Sequence, residues 1–150
     1  MRTFTSIAAI EAAVGEELGT TDWVQITQER VDRFAELSGD QQWIHVDVER
    51  ATASSFGGTI AHGYLTLSML PAFAAELYTI DTGSARLNYG LEKVRFPAPV
   101  KVGTKIRATP RIKEVRAVPA GTQVLVAWTV EAESTERPVC VAESITLVLP

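Results

Sequence analysis

The sequence predicts an α+β fold in which an antiparallel sheet wraps around one long central helix. Three observations predict it. Helical periodicity is confined to the first half of the chain and strand alternation to the second, which favours an antiparallel sheet over a wound parallel one. One stretch, residues 62–78, is apolar on nearly all sides and must be buried on most of them. The length, 150 residues, suits one domain with a substantial core, so residues 1–150 read as a single domain.

The elements follow in order. Residues 5–18 read as a short helix, with Ile7, Ile10, Ala13 and Val14 at helical spacing. Residues 23–26 form a brief strand. Thr27 suits the N-cap of a second helix, whose inward stripe is Val31, Phe34, Ala35 and Leu37 and whose C-cap is Gly39. Asp40 therefore falls just past a helix end, on a loop. Asp47 can cap a further helix over 48–53, and Gly57-Gly58 makes a turn. The long helix follows over 62–78, with Pro71 expected to kink it or remove a hydrogen bond. Residues 85–96, 105–113, 123–133 and 139–149 read as strands. Ile106, Ala108 and Ile112 share one face of the second, and Val124, Val126, Trp128 and Val130 one face of the third. Turn signals at Pro97, Pro99, Gly103, Pro119-Ala120-Gly121 and Pro138 separate the strands.

Composition narrows the function. A net charge of −4 argues against nucleic acid as a partner. The most apolar run, residues 63–75, contains Pro71 and is followed by Glu76, too interrupted to span a bilayer, so no membrane partner is expected. The one cysteine, Cys140, excludes an internal disulfide, and no signal peptide is visible; a reducing cytoplasm is the expected location. Charge is uneven. Lys93, Arg95, Lys101, Lys105, Arg107, Arg111, Lys113 and Arg116 lie in a span whose only acid is Glu114. One reading is a solvated strand face; a compatible one is a landing site for a polyanionic tail such as the phosphates of coenzyme A.

Chemistry concentrates between residues 39 and 63, which hold both histidines. Asp40 and His45 are separated by loop and turn, so their side chains can converge on one water, and imidazole titrates near neutrality. The plainer reading is that Asp40 only caps a helix and His45 only packs. Ala61-His62-Gly63 then opens the long helix. Glycine permits close backbone approach, and first-turn N–H groups have no helical acceptor. An enolate oxygen there would gain roughly 3 kcal/mol per donor on the oxyanion-hole scale. The alternative is that Gly63 merely lets the helix start against a strand. Ligand spacing for a metal and a glycine-rich phosphate loop are both missing from the sequence, so no metal and no cofactor are expected.

Taken together, Phe34-Ala35-Glu36-Leu37-Ser38-Gly39-Asp40, His45-Val46-Asp47 and Ile60-Ala61-His62-Gly63 resemble the hydratase motif of the MaoC-like family, the (R)-specific enoyl-CoA hydratases of the hot-dog fold. Lys93-Val94-Arg95-Phe96-Pro97-Ala98-Pro99-Val100 and Gly103 resemble the family's strand and turn after the helix. The likeness runs from about Thr27 onward and is closest to small actinobacterial hydratases and nodulation protein N-like proteins. It implies a homodimer joined sheet edge to edge, with an acyl-CoA thioester entering near the interface and coenzyme A present only as part of the substrate. It implies Asp40 and His45 as catalytic residues and the Gly63 N–H as the donor to the thioester carbonyl. Water would add reversibly to a trans-2-enoyl-CoA to give the (3R)-hydroxyacyl-CoA. Two positions depart from the pattern. Gln42-Trp43 stands where many members carry asparagine and proline, and Pro71 stands where some carry a serine, leaving Thr66 and Ser68 as the nearest hydroxyls.

Substrate-facing residues are then expected to include Gln42, Trp43, His62 and Tyr64, with Leu67 as a further wall and His62 in a positioning or hydrogen-bonding role. Lys93 and Arg95 are candidate contacts for the nucleotide end. Competing readings are a 3-hydroxyacyl-ACP dehydratase, a thioesterase, and a non-catalytic acyl-thioester-binding protein.

Overall fold

Strand alternation places four long strands in the second half of the chain, and they are there. The computed structural model describes residues 1–150, in the order β1 (Arg2–Phe4), α1 (Ile7–Ala12), β2 (Val24–Gln25), α2 (Gln28–Ser38), α3 (Trp43–Val46), α4 (Val48–Thr52), α5 (Gly63–Ser68), α6 (Leu70–Leu77), β3 (Tyr78–Ile80), β4 (Arg86–Arg95), β5 (Lys105–Val118), β6 (Gly121–Ala132) and β7 (Thr135–Val148). One antiparallel sheet runs β2-β5-β6-β7-β4, and β1 pairs with β3 in a separate parallel ribbon. This is the hot-dog fold: a curled sheet over central helices.

The inner face is the one the alternation marks. Ile106, Ala108, Ile112, Val124, Val126, Trp128 and Val130 are at most 3% exposed. They join Leu65, Leu70 and Phe73 from α5 and α6, and Ile10 and Val31 from α1 and α2, in a single core. Phe73 alone, 2% exposed, contributes about 1.5–3 kcal/mol by leaving water. At the other extreme, nine of the ten residues of edge strand β4 are exposed, Leu87, Tyr89 and Leu91 among them.

Local signals hold where a capping group is at stake. Thr27 caps α2 by accepting from the Arg30 N–H, Gly39 ends it at φ +77°, and Asp47 caps α4 by accepting from the Arg50 N–H. Other expectations are corrected. The long helix is two helices. Pro71 has no N–H to give Leu67, so α5 closes with Met69 N–H on the Thr66 carbonyl and α6 restarts with proline in its first turn, where a donor is not needed. Tyr78 leaves the helix for β3. The first helix stops at Ala12, because Gly15 and Leu18 turn to donate to the Ile112 and Pro110 carbonyls of β5. Leu37 is 85% exposed, so the buried stripe of α2 is Val31 and Ala35 with Phe34 beside it. Pro138 is no turn. It sits inside β7 in an irregular stretch, between the pairs Val130–Cys140 and Ala132–Thr135, where a missing ladder donor is tolerated.

Candidate active site

The end of α2 fixes Asp40. Gly39 turns the chain, and the Ser38 hydroxyl accepts from the Asp40 N–H at 3.3 Å. Five residues on, the single turn of α3 carries His45 inward, where it is 6% exposed. His45 Nδ1 lies 2.6 Å from the Ile60 carbonyl oxygen, which can only accept, so Nδ1 carries the proton and donates. Nε2 is left as an acceptor, 4.0 Å from Asp40 Oδ2. That separation is too long for a direct hydrogen bond and suits one bridging oxygen. Burial pushes the His45 imidazole below its ordinary value of 6.5, and the neighbouring His62 adds to this; the Ile60 bond and Asp40 oppose it. At neutral pH, His45 is therefore an uncharged base.

His62 is the N-cap residue of α5, 3% exposed. Its Nε2 donates to the Asp40 main-chain carbonyl at 2.9 Å, and its ring stacks on His45 with centroids 3.7 Å apart and 24° between planes. Phe34 lies 5.0 Å away on α2. Gly63 opens α5 with its N–H outside the helical ladder. A Cβ there would come within 2.8 Å of the Phe96 ring, so glycine is required by close packing.

A cavity of about 320 Å³ is lined by His45, Gly63, Thr66, Phe56, Ile60 and Phe96, among others. Asp40, with its side chain 52% exposed, approaches His45 from outside this lining. A second cavity, of about 660 Å³, lies one turn further along the helices and is lined by Leu67, Pro71, Ala74, Tyr78 and Trp128 among others.

The expected site residues are therefore only partly brought together. Asp40, His45, His62 and Gly63 converge. His62 reaches Asp40 rather than either cavity. Trp43 does not line the smaller cavity; it packs edge-on against Phe56 at 6.3 Å, beneath the Arg50 guanidinium at 4.3 Å. Gln42 lies exposed beside Asp40, its N–H 3.4 Å from Oδ1. Tyr64 is 70% exposed and packs edge-on to Phe96. Leu67 lines the larger cavity, as does Ser68, whereas Thr66 lines the smaller one. Lys93 and Arg95 are exposed on β4. The basic span is half consumed by ion pairs: Arg107 with Glu131, Arg111 with Glu17, Lys113 with Glu143, and Arg116 with Glu92 and Glu114. Lys93, Arg95, Lys101 and Lys105 form none. Phe56, Phe96 and the Ile60 carbonyl were not legible as site groups; hydropathy assigns all three to packing, and only the Ile60-Ala61-His62-Gly63 run hinted at the third. Asp40, His45 and His62 bring ligand atoms within 4.8 Å of one another, but stacked rings hold their lone pairs in nearly parallel planes, so two nitrogens cannot face one ion without opening the stack.

A curled sheet over two central helices, with a carboxylate and a neutral imidazole gathered near the amino end of α5, is a hot-dog architecture with an acid–base pair beside a cavity. Residues 9–135 match the MaoC like domain model, and the chain belongs to the MaoC-like dehydratase family. It is 54% identical over 146 residues to 3-hydroxyacyl-thioester dehydratase Z of Mycobacterium tuberculosis, covering 97% of each chain. It is 41% identical over 148 residues to nodulation protein N of Rhizobium leguminosarum bv. viciae, covering 95% of this chain and 91% of that one. Among solved structures, it resembles the R-hydratase PhaJ1 from Pseudomonas aeruginosa (TM-score 0.73, 25% identity, 91% and 81% covered). It also resembles a monoamine oxidase regulatory protein from Archaeoglobus (TM-score 0.79, 26% identity, 99% and 96% covered). The chain is thus a hydratase or dehydratase.

Proposed function

We propose that the protein is an (R)-specific enoyl-CoA hydratase, adding water reversibly to trans-2-enoyl-CoA to give the (3R)-hydroxyacyl-CoA. The observation that carries this reading is the unprotonated Nε2 of His45 facing Asp40 Oδ2 at 4.0 Å, with Gly63 in the same cavity. Asp40 and His45 hold one water between them. Its oxygen attacks C3 and its proton passes to the pair. A proton returns from the pair to C2 on the same face, with Asp40 assigned to that return, so the pair ends the cycle with the protons it began with. The Gly63 N–H stabilises the enolate oxygen that forms between the two steps.

Coenzyme A enters only as the substrate's carrier, and no metal or other cofactor takes part. Lys93 and Arg95, exposed and free of ion pairs, are the contacts we assign to its phosphates. The active unit is a homodimer joined through β4, whose unpaired edge presents Leu87, Tyr89 and Leu91. A cytoplasmic setting belongs to the same reading: no helix is long and apolar enough to cross a membrane, and Cys140 is buried, its thiol pushed up to about 11. The second reading is the same chemistry run as dehydration, with an acyl carrier protein as the thioester's carrier; the similarity to 3-hydroxyacyl-thioester dehydratase Z supports the direction and leaves the carrier open.

The test is chiral product analysis after incubation with enoyl-CoAs of several chain lengths, with free thiol followed in parallel. The (3R) alcohol without thiol release is expected. Thiol release would make the protein a thioesterase, and acyl-CoA binding without turnover would make it a binder.

A further inference from the structure

His62 is the one polar side chain of the cluster for which the mechanism has no chemical task, yet it touches both members of the catalytic pair. Its Nε2–H is spent on the Asp40 carbonyl. Its Nδ1 is buried with no partner. A proton on Nδ1 would bury a donor with nothing to receive it, whereas a bare lone pair costs less. One face of the ring carries His45 at 3.7 Å, and Phe34 packs against it at 5.0 Å. The ring lines neither cavity.

We propose that His62 is the positioning residue of the Asp40–His45 pair: protonated on Nε2, it ties the Asp40 main chain to the start of α5, and its ring is the flat support that fixes the plane of the His45 imidazole. The proposal rests on the hydratase reading. One side chain thereby holds both halves of the pair relative to Gly63, its neighbour in the chain. Neither function can be supplied by a simpler residue. Phenylalanine would keep the support and lose the donor; glutamine would keep a donor and lose the support. Two neighbouring histidines must also carry opposite tautomers, His45 protonated on Nδ1 toward Ile60 and His62 on Nε2 toward Asp40. The titratable groups facing His45 are His62 at the start of α5 and Asp40 from the loop after α2.

The experiment has two arms. Imidazole ¹⁵N spectra of the wild-type protein at neutral pH are expected to show those opposite tautomers; a His62 protonated on Nδ1 in an active enzyme overturns the proposal alone. In the second arm, crotonyl-CoA hydration is measured for His62→Phe and His62→Gln across pH. Each is expected to lose kcat on the order of 10- to 100-fold with KM little changed, the signature of misplaced catalytic groups. A raised KM at unchanged kcat would make His62 a substrate contact. Unchanged kcat in both variants would make it packing only. A wild-type protein without hydration would instead overturn the functional reading on which the kinetic arm depends.

Discussion

Two polar regions of this molecule look equally suggestive in the sequence, and they meet opposite fates in the fold. The Asp40–His45–His62 cluster is compact and largely buried, and its polar atoms are held mainly by main-chain groups: the Ile60 carbonyl on His45, the Asp40 carbonyl on His62, the Gln42 N–H on Asp40. The basic span from Lys93 to Arg116 lies along exposed strand faces, and half of its charges are paired with acids as remote as Glu17 and Glu143. Main-chain partners fix an orientation and leave the Nε2 lone pair of His45 facing Asp40. Side-chain ion pairs on a wet sheet face fix little and contribute about 0–1 kcal/mol each. Density of polar residues is thus a poor guide to chemistry; what matters is whether the backbone has already claimed all but one of the polar atoms.

That contrast can be broken most sharply at the pair itself. Asp40→Asn and His45→Gln should each lower kcat/KM for crotonyl-CoA about 10²–10⁴-fold while leaving the fold intact, read by steady-state kinetics beside circular dichroism. Gly63→Ala comes next. Its methyl would press into the Phe96 ring, and a shift of the α5 start by an ångström should cost on the order of 10²-fold in rate, with about 1–3 kcal/mol of stability lost in denaturant titration.

The pH profile sharpens the comparison further. His45 must be neutral to act, and burial holds its folded value below 6.5, so the acid limb of kcat/KM should lie below pH 6.5. Stability should follow the same sign. The unfolded chain takes up the proton more readily, so the contribution present above pH 6.5 is lost as pH falls toward the folded value, and the loss should be smaller in His45→Gln. The smallest effects belong to the basic strands. Arg111→Ala, which breaks the pair with Glu17, should change stability by about 1 kcal/mol or less and leave KM alone. Arg95→Ala should instead raise KM at low ionic strength, an effect that salt screens away.

The sheet was legible because buried residues alternate over Ile106–Ile112 in β5 and Val126–Val130 in β6, and because turn residues bound the strands. The caps at Thr27, Gly39 and Asp47 were legible because each is a single residue doing one local job. What failed did so for non-local reasons. β1 and β3 are three residues each and exist only through one another, below the length at which periodicity speaks. The break at Met69 is hidden in the sequence because a proline suits a kink within one helix as well as the first turn of another. Leu37 fits helical spacing yet faces water, because only the Val31–Ala35 side of α2 is buried. At the site, Asp40, His45 and Gly63 were visible as chemistry in order. The Phe56 and Phe96 walls were not, since an aromatic lining a cavity and one filling a core have the same local sequence.

The central claim is that Asp40 and His45 handle one water from one side of the substrate. It is tested most directly by hydrating crotonyl-CoA in deuterium oxide and determining the relative configuration at C2 and C3. Deuterium and hydroxyl on the same face, with C3 of R configuration, is the predicted result. Addition to opposite faces, or a scrambled C2, would contradict the account.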